Sequence, residues 1–411
     1  MYATTQVLVV GGGSAGVAAA VAAARNGADT MLVERAGALG GLATGGLIIL
    51  LLTLDDGRGH QVVGGLCQEV TERVSARGAA FCPPRSEWGS PDEALVAQYM
   101  RWGLVWGAGP HSVRYSVAYD PEEFRFALNT MCEESQVRLL LHCWACEGIR
   151  DNDRLRGVIF QGKSGRFAIL ADIVIDATGD GDVFASVGVP FESEKVLPWL
   201  WFRMGGVSDV DAAFDAGAGC LRTVGQGQVL FPWGATDRII RKIDATDPSD
   251  LTLAELECRK KVMEAVDDLR RTHPQFKDAH LCEIARDLGI TESRRLVGEY
   301  VLNRGDMDHP LADAIAITGH WTKYGALYWI PYRSLLPKEF SNLLVAGRCI
   351  SVDHRTHHAT KEIPPCMATG EAAGTAAAMA VRNGVEPKAL EVTALQAKLR
   401  ERGAILDAGV A

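Results

Sequence analysis

The stretch QVLVVGGGSAGVAAAVAAARNGADTMLVER, residues 6–35, limits the fold of this chain more than any other part. A short apolar strand leads into Gly11-x-Gly13-x-x-Gly16 and an alanine-rich helix. A second strand follows and ends at Glu34. Gly11 allows a tight turn, Gly13 lets the backbone approach a pyrophosphate, and Gly16 lets the helix pack on the strand. Because the start of the helix also favours phosphate, the pattern predicts a dinucleotide-binding βαβ unit.

The acid at the end of the second strand narrows the choice of dinucleotide. Glu34 lies 18 residues after Gly16, where a carboxylate can accept hydrogen bonds from a ribose diol. This disfavours NADP and leaves FAD or NAD. A nicotinamide dehydrogenase usually continues with further βα units, but here the glycine-rich loop RAGALGGLATGG follows the acid directly. A second strand–G-x-G-x-x-G–helix unit is also missing from the sequence, and the pattern therefore favours FAD.

Composition limits the class of protein. With 411 residues, 47% of them hydrophobic and 23% charged, the chain is expected to be globular and large enough for two domains. Its net charge of −9 argues against a nucleic-acid partner, because phosphate binding needs clustered lysine and arginine. The apolar run GLIILLLTL at residues 46–54 is far shorter than the roughly 20 residues that span a bilayer, so we expect no membrane span. Scattered cysteines and an N-terminus without a leader pattern favour a cytoplasmic location.

Several further segments predict elements of an α/β fold. Asp120, followed by proline and two glutamates, has the pattern of a helix N-cap, and that helix is expected to run to about Glu134. The segments VRLLLHCWACEGI, LRGVIFQ and RFAILADIVIDAT predict strands, with GKSG as a hairpin turn. The strand NLLVAGR is predicted at residues 342–348. The small-residue helix MATGEAAGTAAAMAV is expected to begin near Thr369 or Gly370.

Seven motifs in this order resemble the FAD-dependent oxidoreductase family, whose fold is similar to that of the fumarate reductase and succinate dehydrogenase flavoprotein. They are GGGSAG, ER…GGLAT, DATGDGD, GITESRRLVGEY, IPYRSLLP, NLLVAGRCIS and CMATGEAAGTAAA. The resemblance covers nearly the whole chain. It implies an α/β fold of the glutathione-reductase type: a Rossmann-like FAD-binding domain, with a parallel sheet and a β-meander, and an inserted α+β substrate domain. We expect the FAD domain in residues 1–48, 120–190 and 340–411, and the substrate or cap domain in 49–119 and 191–339.

The resemblance also implies which residues contact FAD. The expected contacts are Gly11, Gly13, Ser14, Ala15 and Gly16 at the pyrophosphate, Glu34 at the adenosine ribose, Arg35, Gly41, Leu42, Ala43 and Thr44 on the pyrophosphate and ribityl side, Ala145 at the adenine, Thr178, Gly179 and Asp180 over the adenosine half, Gly347 and Arg348 at the ribityl chain, and Thr369, Gly370, Glu371, Ala372 and Ala373 at the flavin ring. The last five residues are expected at a helix N-terminus, whose dipole favours negative charge on the ring.

The histidine-rich stretch SVDHRTHHATKEIPPC, residues 351–366, is expected to be a loop near the flavin ring. His354 is a candidate for proton transfer or substrate binding, with a structural hydrogen bond as the alternative. His357 and His358 depart from the family pattern and are candidates for substrate contact, pointing opposite ways in an extended chain. Lys361 stands where the family often carries arginine, which keeps the charge but loses the bidentate fork. No cysteine or carboxylate partner has metal-ligand spacing, so we expect no metal site.

Two arginines are further candidates for binding an anionic substrate. They are Arg294 in GITESRRLVGEY and Arg333 in WIPYRSLLP, since a planar guanidinium suits carboxylates. For Arg294, a salt bridge to Glu292 or Glu299 is an equal alternative. His320, in TGHWTKYG, is a weaker pocket candidate, for which plain packing is favoured.

The function that the resemblance implies is an FAD-dependent dehydrogenase or oxidase. A small polar, anionic substrate would transfer a hydride to the flavin, His354 would take or orient the proton, and Arg294, Arg333 and Lys361 would hold the anion. An internal NAD domain and iron–sulfur cysteine spacing are absent from the sequence, so the electron acceptor is external: O2, a quinone or a protein carrier. The alternatives are a redox-neutral flavoenzyme, such as a hydratase, isomerase or thiazole-forming enzyme, and a flavoprotein subunit that depends on a partner. Assembly as a homo-oligomer stays open.

Overall fold

The computed structural model describes residues 2–232 and 241–407. The α-helices in these ranges are α1 (Ser14–Arg25), α2 (Gly65–Ala76), α3 (Glu93–Met100), α4 (Pro121–Glu134), α5 (Asp182–Ser186), α6 (Val210–Asp215), α7 (Pro248–Thr272), α8 (His354–Thr360), α9 (Ile363–Asn383) and α10 (Val392–Glu401). The strands are β1 (Ala3–Val10), β2 (Thr30–Val33), β3 (Leu50–Leu51), β4 (Ala80–Phe81), β5 (Val117–Tyr119), β6 (Arg138–Leu140), β7 (Trp144–Asp151), β8 (Arg154–Gly162), β9 (Gly165–Asp176), β10 (Phe191–Ser193), β11 (Phe202–Gly205), β12 (Leu221–Arg222), β13 (Val229–Phe231), β14 (His280–Ile284), β15 (Arg294–Leu296), β16 (Ala314–Gly319), β17 (Leu327–Pro331) and β18 (Leu343–Val345).

The main sheet has seven strands within the described ranges. Its order is β6-β2-β1-β9-β8-β7, and β18 also pairs with β9. The strands β6, β2, β1, β9 and β18 are parallel, with Val7 of β1 opposite Thr30 on one side and Ile173 on the other. β7, β8 and β9 are consecutive antiparallel strands. This confirms the predicted α/β fold, with a Rossmann-like parallel sheet and a β-meander.

The helices α1 and α9 form the close packing behind the sheet. Residues 7–9 of β1 are fully buried beneath α1, most of which is alanine and is itself buried. In α9, Gly370 lies against the carbonyl oxygen of Ala15, and Gly374 lies against that of Ala19. A Cβ atom at either glycine would clash with the backbone of α1. The small-residue pattern of both helices therefore allows their backbones to approach closely.

The start of α9 differs from the prediction. The helix begins at Ile363, well before the expected start at Thr369 or Gly370. Pro364 and Pro365 occupy its first turn, where the missing N–H groups cost no intrahelical hydrogen bond. The prolines mark the beginning of the helix, and the small-residue run is its interior.

The segment VRLLLHCWACEGI is two strands rather than one. β6 lies at one edge of the sheet beside β2, whereas β7 lies at the opposite edge beside β8. His142, between them, has a φ of 60°, which is incompatible with a continuous strand. The chain therefore leaves one edge of the sheet at this residue and returns at the other.

The segments expected to form the substrate or cap domain carry smaller sheets. A four-stranded antiparallel sheet has the order β12-β13-β11-β14, and the long helix α7 precedes β14 in the chain. β3, β5 and β4 form a second sheet, and β10–β15 and β16–β17 are antiparallel pairs. The apolar run at residues 46–54 is mostly buried, although only β3 within it is a strand. None of the helices in the described ranges is long and apolar enough to cross a membrane.

Candidate active site

A cleft with a cavity volume of about 510 Å³ lies at the carboxyl ends of the parallel strands. Gly11 follows β1, Glu34 follows β2, Ala177 follows β9 and Ala346 follows β18, and all four line the cleft. Open α/β sheets bind their ligands at this edge. Most of the residues predicted to contact FAD also line it: Gly11, Gly13, Ser14, Ala15, Glu34, Arg35, Gly41, Leu42, Ala43, Thr178, Gly179, Asp180 and Arg348.

Some of the predicted contacts lie beside or behind the cleft. Ala145 lines a small adjoining cavity with Arg35 and Trp144, and the guanidinium carbon of this arginine lies 5.0 Å from the centroid of the indole ring. Gly16 packs against the first glycine of the motif, so closely that a Cβ would clash. Thr44 is buried and donates a hydrogen bond within its own loop. Gly16 and Thr44 shape the cleft without lining it.

The glycine-rich turn has the space that a dinucleotide requires. Gly11 has a φ of 102° and lies against the backbone of Ala177, so only glycine fits there. A Cβ at Gly13, in contrast, would meet no atom within 4 Å. Glu34 accepts hydrogen bonds from the N–H groups of Gly12 at 2.6 Å and Ala36 at 2.7 Å, which holds its carboxylate at the cleft. The residues present therefore fit the pyrophosphate and ribose of FAD.

Asp176, which was not among the residues predicted from the sequence, organises the loop that covers one side of the cleft. Its fully buried carboxylate accepts hydrogen bonds from the N–H of Thr178 at 3.1 Å and its hydroxyl at 2.7 Å. It also accepts hydrogen bonds from the N–H groups of Val183 and Phe184, at 3.0 and 2.9 Å. Burial raises the pKa of Asp176 to about 6, although these hydrogen bonds act in the opposite direction. In the sequence, the first aspartate of the DATGDGD motif was the feature from which this role could have been predicted.

Arg348 connects the two sides of the cleft. Its Nε donates to the carbonyl of Gly179 at 2.9 Å, and its Nη2 pairs with Asp180 at 2.6 Å. Its Nη1 donates to the carbonyl of Ile290, which belongs to the segment expected to be the cap. Asp180 also accepts a hydrogen bond from the hydroxyl of Ser293 at 2.6 Å. The N–H donors of Arg348 therefore link the two sides of the cleft.

The five residues predicted at the flavin ring do not line the cleft, because α9 begins earlier than expected. Thr369, Gly370, Glu371, Ala372 and Ala373 are buried in the interior of the helix, and none of them lines the cleft. Within α9, the cleft is lined by the first turn, through Ile363 and Cys366.

Glu371 points to a different cavity altogether. Its carboxylate accepts a hydrogen bond from the N–H of Leu66, at the start of α2, at 2.9 Å. It lines a second cavity of about 620 Å³ between α1, α2, α9 and the end of α10. Burial raises the pKa of Glu371 to about 7.

The histidine-rich stretch is a helix rather than an extended loop. Asp353 caps α8 by accepting a hydrogen bond from the N–H of Thr356 at 2.6 Å. His354 and His358 are one turn apart on the exposed face, and their ring centroids are 5.7 Å apart. His357 points inward, is 1% exposed, and lies with its Nε2 2.9 Å from the carbonyl oxygen of Arg348. Helical geometry thus separates His357 from the other two.

Glu292, which the sequence suggests only as an ion-pair partner for Arg294, holds His354 in place. Nδ1 of His354 lies 3.0 and 2.9 Å from the two carboxylate oxygens of Glu292. Arg295 donates from Nε to the same carboxylate at 2.6 Å and from Nη1 to the carbonyl of Val352 at 2.6 Å. Burial opposes ionisation of Glu292, but His357, His354 and Arg295 outweigh it and lower its pKa to about 2. The spacing of Glu292 and Arg295, three residues apart in TESRR, was the sequence feature from which this pair could have been predicted.

Lys361 directly follows α8 and lines the cleft. Its ammonium has no hydrogen-bond or ion-pair partner among residues 2–232 and 241–407. Burial lowers the pKa of Lys361. A cation in such surroundings is available to an anion that enters the cleft.

The two candidate arginines are engaged elsewhere. Arg294 pairs with Asp182 at 3.0 Å and donates to the carbonyl of Asp180, so neither Glu292 nor Glu299 is its partner. Arg333 pairs with Asp313 at 2.8 Å. Arg294, Arg333 and the histidines of α8 all lie outside the walls of the cleft. Of the six predicted catalytic residues, the structure brings only Lys361 to the cleft itself, with α8 adjoining it.

A family model described as FAD dependent oxidoreductase matches residues 6–399, nearly the whole chain. The chain belongs to this family. FAD is therefore its cofactor, and the protein is an enzyme. A comparison with curated proteins finds no match.

Solved structures show the same fold as this FAD-dependent oxidoreductase. A geranylgeranyl bacteriochlorophyll reductase-like protein from Thermoplasma acidophilum is 16% identical, with 98% of this chain and 84% of that chain covered and a TM-score of 0.52. The p-nitrophenol 4-monooxygenase PnpA from Pseudomonas putida DLL-E4 is 12% identical, with 100% and 91% covered and a TM-score of 0.52. The aromatic hydroxylase CabE from angucycline biosynthesis is 14% identical, with 97% and 66% covered and a TM-score of 0.50. At such identities, the likeness is one of fold alone.

Proposed function

We propose that this FAD-dependent oxidoreductase removes a hydride and a proton from a small polar, anionic substrate, with His354 as the base. Bound FAD supplies the ring that accepts a hydride. The observation that carries the proposal is the 2.9 Å hydrogen bond between His354 and the carboxylate of Glu292. Arg295, on the buried side, donates a hydrogen bond to the same carboxylate.

Glu292 determines which nitrogen of His354 carries the proton. Because the carboxylate only accepts hydrogen bonds, Nδ1 of His354 is the donor and Nε2 has the free lone pair. The His354 side chain is 46% exposed, so Nε2 can meet a substrate. When Nε2 takes a proton from the substrate, the imidazolium that forms is stabilised by the ionised Glu292.

Lys361 is the proposed contact for the anionic group of the substrate. Lys361 lines the cleft and has neither a hydrogen-bond nor an ion-pair partner among the described residues. An incoming carboxylate would offset the cost of keeping the ammonium half-buried. Arg294 and Arg333, whose charges are paired with Asp182 and Asp313, are not assigned this role.

The assignment of individual FAD contacts is also a proposal. We assign the pyrophosphate to the turn at residues 11–16, the adenosine ribose to Glu34, the adenine to the small cavity beside Ala145, and the ribityl chain to the cleft wall formed by residues 41–43. The division into an FAD domain, residues 1–48, 120–190 and 340–411, and a substrate domain between these segments accords with the cleft between them. The closer likeness to the fumarate reductase and succinate dehydrogenase flavoprotein stays a prediction.

The test is flavin reduction without oxygen. The FAD-loaded protein is mixed with a panel of small hydroxy, amino and unsaturated acids, and bleaching of the flavin absorbance is followed. We expect one class of acid to bleach it, and His354→Ala to slow that reaction by about 100-fold or more. Glu292→Gln should slow it as well, because it removes the charge that stabilises the imidazolium.

His60→Ala is the matched control. His60 is also an exposed histidine paired with a carboxylate, Asp56 at 2.9 Å, but it lies on a separate loop. This variant should reduce its flavin at the wild-type rate. If His354→Ala also retains the wild-type rate, His354 is not the base. If no acid bleaches a flavin that dithionite reduces, the reaction is redox-neutral or needs a partner protein. With bleaching established, reoxidation by O2, a quinone or a protein carrier identifies the acceptor.

A further inference from the structure

Resting on the proposed function, we infer that His320 recognises the anionic group of the substrate by donating a hydrogen bond from Nε2. The anionic group of the substrate would thus be bound by a neutral imidazole as well as by the ammonium of Lys361. The sequence had favoured plain packing for His320.

The tautomer of His320 is determined by its own loop. The N–H of Thr322 donates to Nδ1 of His320 at 3.2 Å, and the Thr322 hydroxyl lies at 3.2 Å from the same nitrogen. Since Nδ1 accepts, the proton of the neutral ring is on Nε2. Nε2 has no hydrogen-bond partner in the described part of the chain, and, unlike Nδ1 of the buried His357, it is not sealed from solvent. His320 as a whole is only 8% exposed, and Nε2 is the donor of its ring that a ligand can reach.

A buried ion pair holds the backbone of His320. Arg114 donates from Nε to Asp55 at 2.9 Å, and both side chains are almost fully buried. Nη1 of Arg114 donates to the carbonyl of His320 at 3.1 Å. The imidazole therefore projects from a rigid support, as a binding group should.

His320 lies near α8. Two residues before it, the hydroxyl of Thr318 donates to the carbonyl of Ala359 at 3.3 Å, which ties the end of β16 to α8. His358 directly precedes Ala359. His358 lies near both Lys361 and His320, because the charge of Lys361 acts on the pKa of His358 and the charge of His358 acts on the pKa of His320.

The surroundings of His320 favour a neutral ring and an anionic ligand. After burial, the groups that lower its pKa, to about 4, are Lys323, His358 and Arg114. All three are basic, and Arg114 is already paired with Asp55. The imidazole is therefore uncharged at neutral pH and acts as a donor, while the potential around it attracts negative charge. A carboxylate is the small organic group that accepts such a donor and carries the complementary charge.

The first experiment measures anion binding to the FAD-loaded protein. Glycolate, acetate and inorganic phosphate are titrated against wild type, His320→Leu and His320→Gln, with uncharged ethylene glycol as the ligand control. Heat release and flavin absorbance report binding. We expect His320→Leu to raise the Kd of glycolate by 10-fold or more, whereas His320→Gln, which keeps an N–H donor, stays within 3-fold of wild type. Equal flavin content and melting temperature show that the variants fold.

Several results would overturn the inference. A Kd within 2-fold of wild type for His320→Leu would do so, and so would the absence of binding by all three anions to the wild-type protein. Nitrogen-15 spectra of labelled histidine give an independent check, since a charged ring or an Nδ1–H tautomer at pH 7 contradicts it. If His354→Ala stops flavin reduction while His320→Leu leaves binding intact, only the His320 inference fails. If His320→Leu weakens binding while His354→Ala leaves flavin reduction unchanged, the His320 inference holds and His354 is not the base.

Discussion

Three histidines within five residues have different surroundings because α8 is a helix. His354 and His358 share its exposed face, whereas His357 is buried and held by the carbonyl of Arg348. Burial lowers the pKa of His357 to about 4, so it is neutral near pH 7 and serves the structure. The residue that gives His354 its orientation, Glu292, lies 62 positions away in the sequence. Its role depends in turn on the buried guanidinium of Arg295.

Arg295→Met should strongly destabilise the protein. The substitution leaves the carboxylate of Glu292 and the carbonyl of Val352 without their buried donor, and breaking such a pair typically costs about 3–5 kcal/mol. Unfolding by denaturant measures the loss. Arg333→Met is the matched control, because Arg333 is half exposed and its pair with Asp313 is worth roughly 1 kcal/mol or less. Equal effects of the two substitutions would contradict the role assigned to Arg295.

Among the elements, α9 shows how one helix serves two sites. Its first turn, with Ile363 and Cys366, lines the cofactor cleft, and its glycines allow the close approach of α1. One further turn along, Glu371 faces away and caps α2 through the N–H of Leu66. The spacing of the glycines in α9 could be recognised from the sequence alone. Which residues of α9 line the cleft could not be predicted from the sequence, because that depends on the register at which the helix begins.

Glu371→Gln should stabilise the protein at alkaline pH. The pKa of Glu371 is raised from 4.5 to about 7, so between these values the folded chain binds a proton that the unfolded chain has released. Stability therefore falls as pH rises through this window. Glutamine cannot ionise and still accepts from Leu66, so its advantage should be absent near pH 4.5 and reach roughly 3 kcal/mol above pH 7.

Unfolding curves at a series of pH values test this expectation. Glu72→Gln is the matched control, since Glu72 lines the same cavity but is exposed. That variant should follow the wild type at every pH. A constant difference between Glu371→Gln and wild type would show that Glu371 does not carry the predicted shift.

At the scale of the whole molecule, the cleft lies between segments that are far apart in the chain. Strands β1, β2, β9 and β18 converge on it from one side, and Ile290 contributes from the other through Arg348. A ligand that fills such a cleft ties these segments together. Its binding should therefore stabilise the fold as a whole.

Added FAD should raise the melting temperature of the flavin-free protein, by an amount equivalent to about 2.7 kcal/mol at 100 times its Kd. Gly13→Ala should fold normally, because a Cβ there meets no atom within 4 Å, and yet lose most of this stabilisation. Gly11→Ala should instead melt lower even without FAD, since it clashes with Ala177. NADP should have no effect, given the acid at Glu34. A full FAD shift in Gly13→Ala would contradict the assigned pyrophosphate position.

The sequence alone determined the cofactor unit and the fold class. The turn at Gly11, the acid at Glu34 and the cap at Asp120 act through neighbouring residues, so local spacing was sufficient to predict them. Only the tertiary structure brought Glu292 to His354, across 62 positions, and Arg114 to His320, across 206. These pairs are formed by hydrogen bonds between elements whose contact depends on helix register and on the packing of the whole chain. A single sequence carries no periodic signal for such contacts, because the partners share neither a helix nor a strand pair.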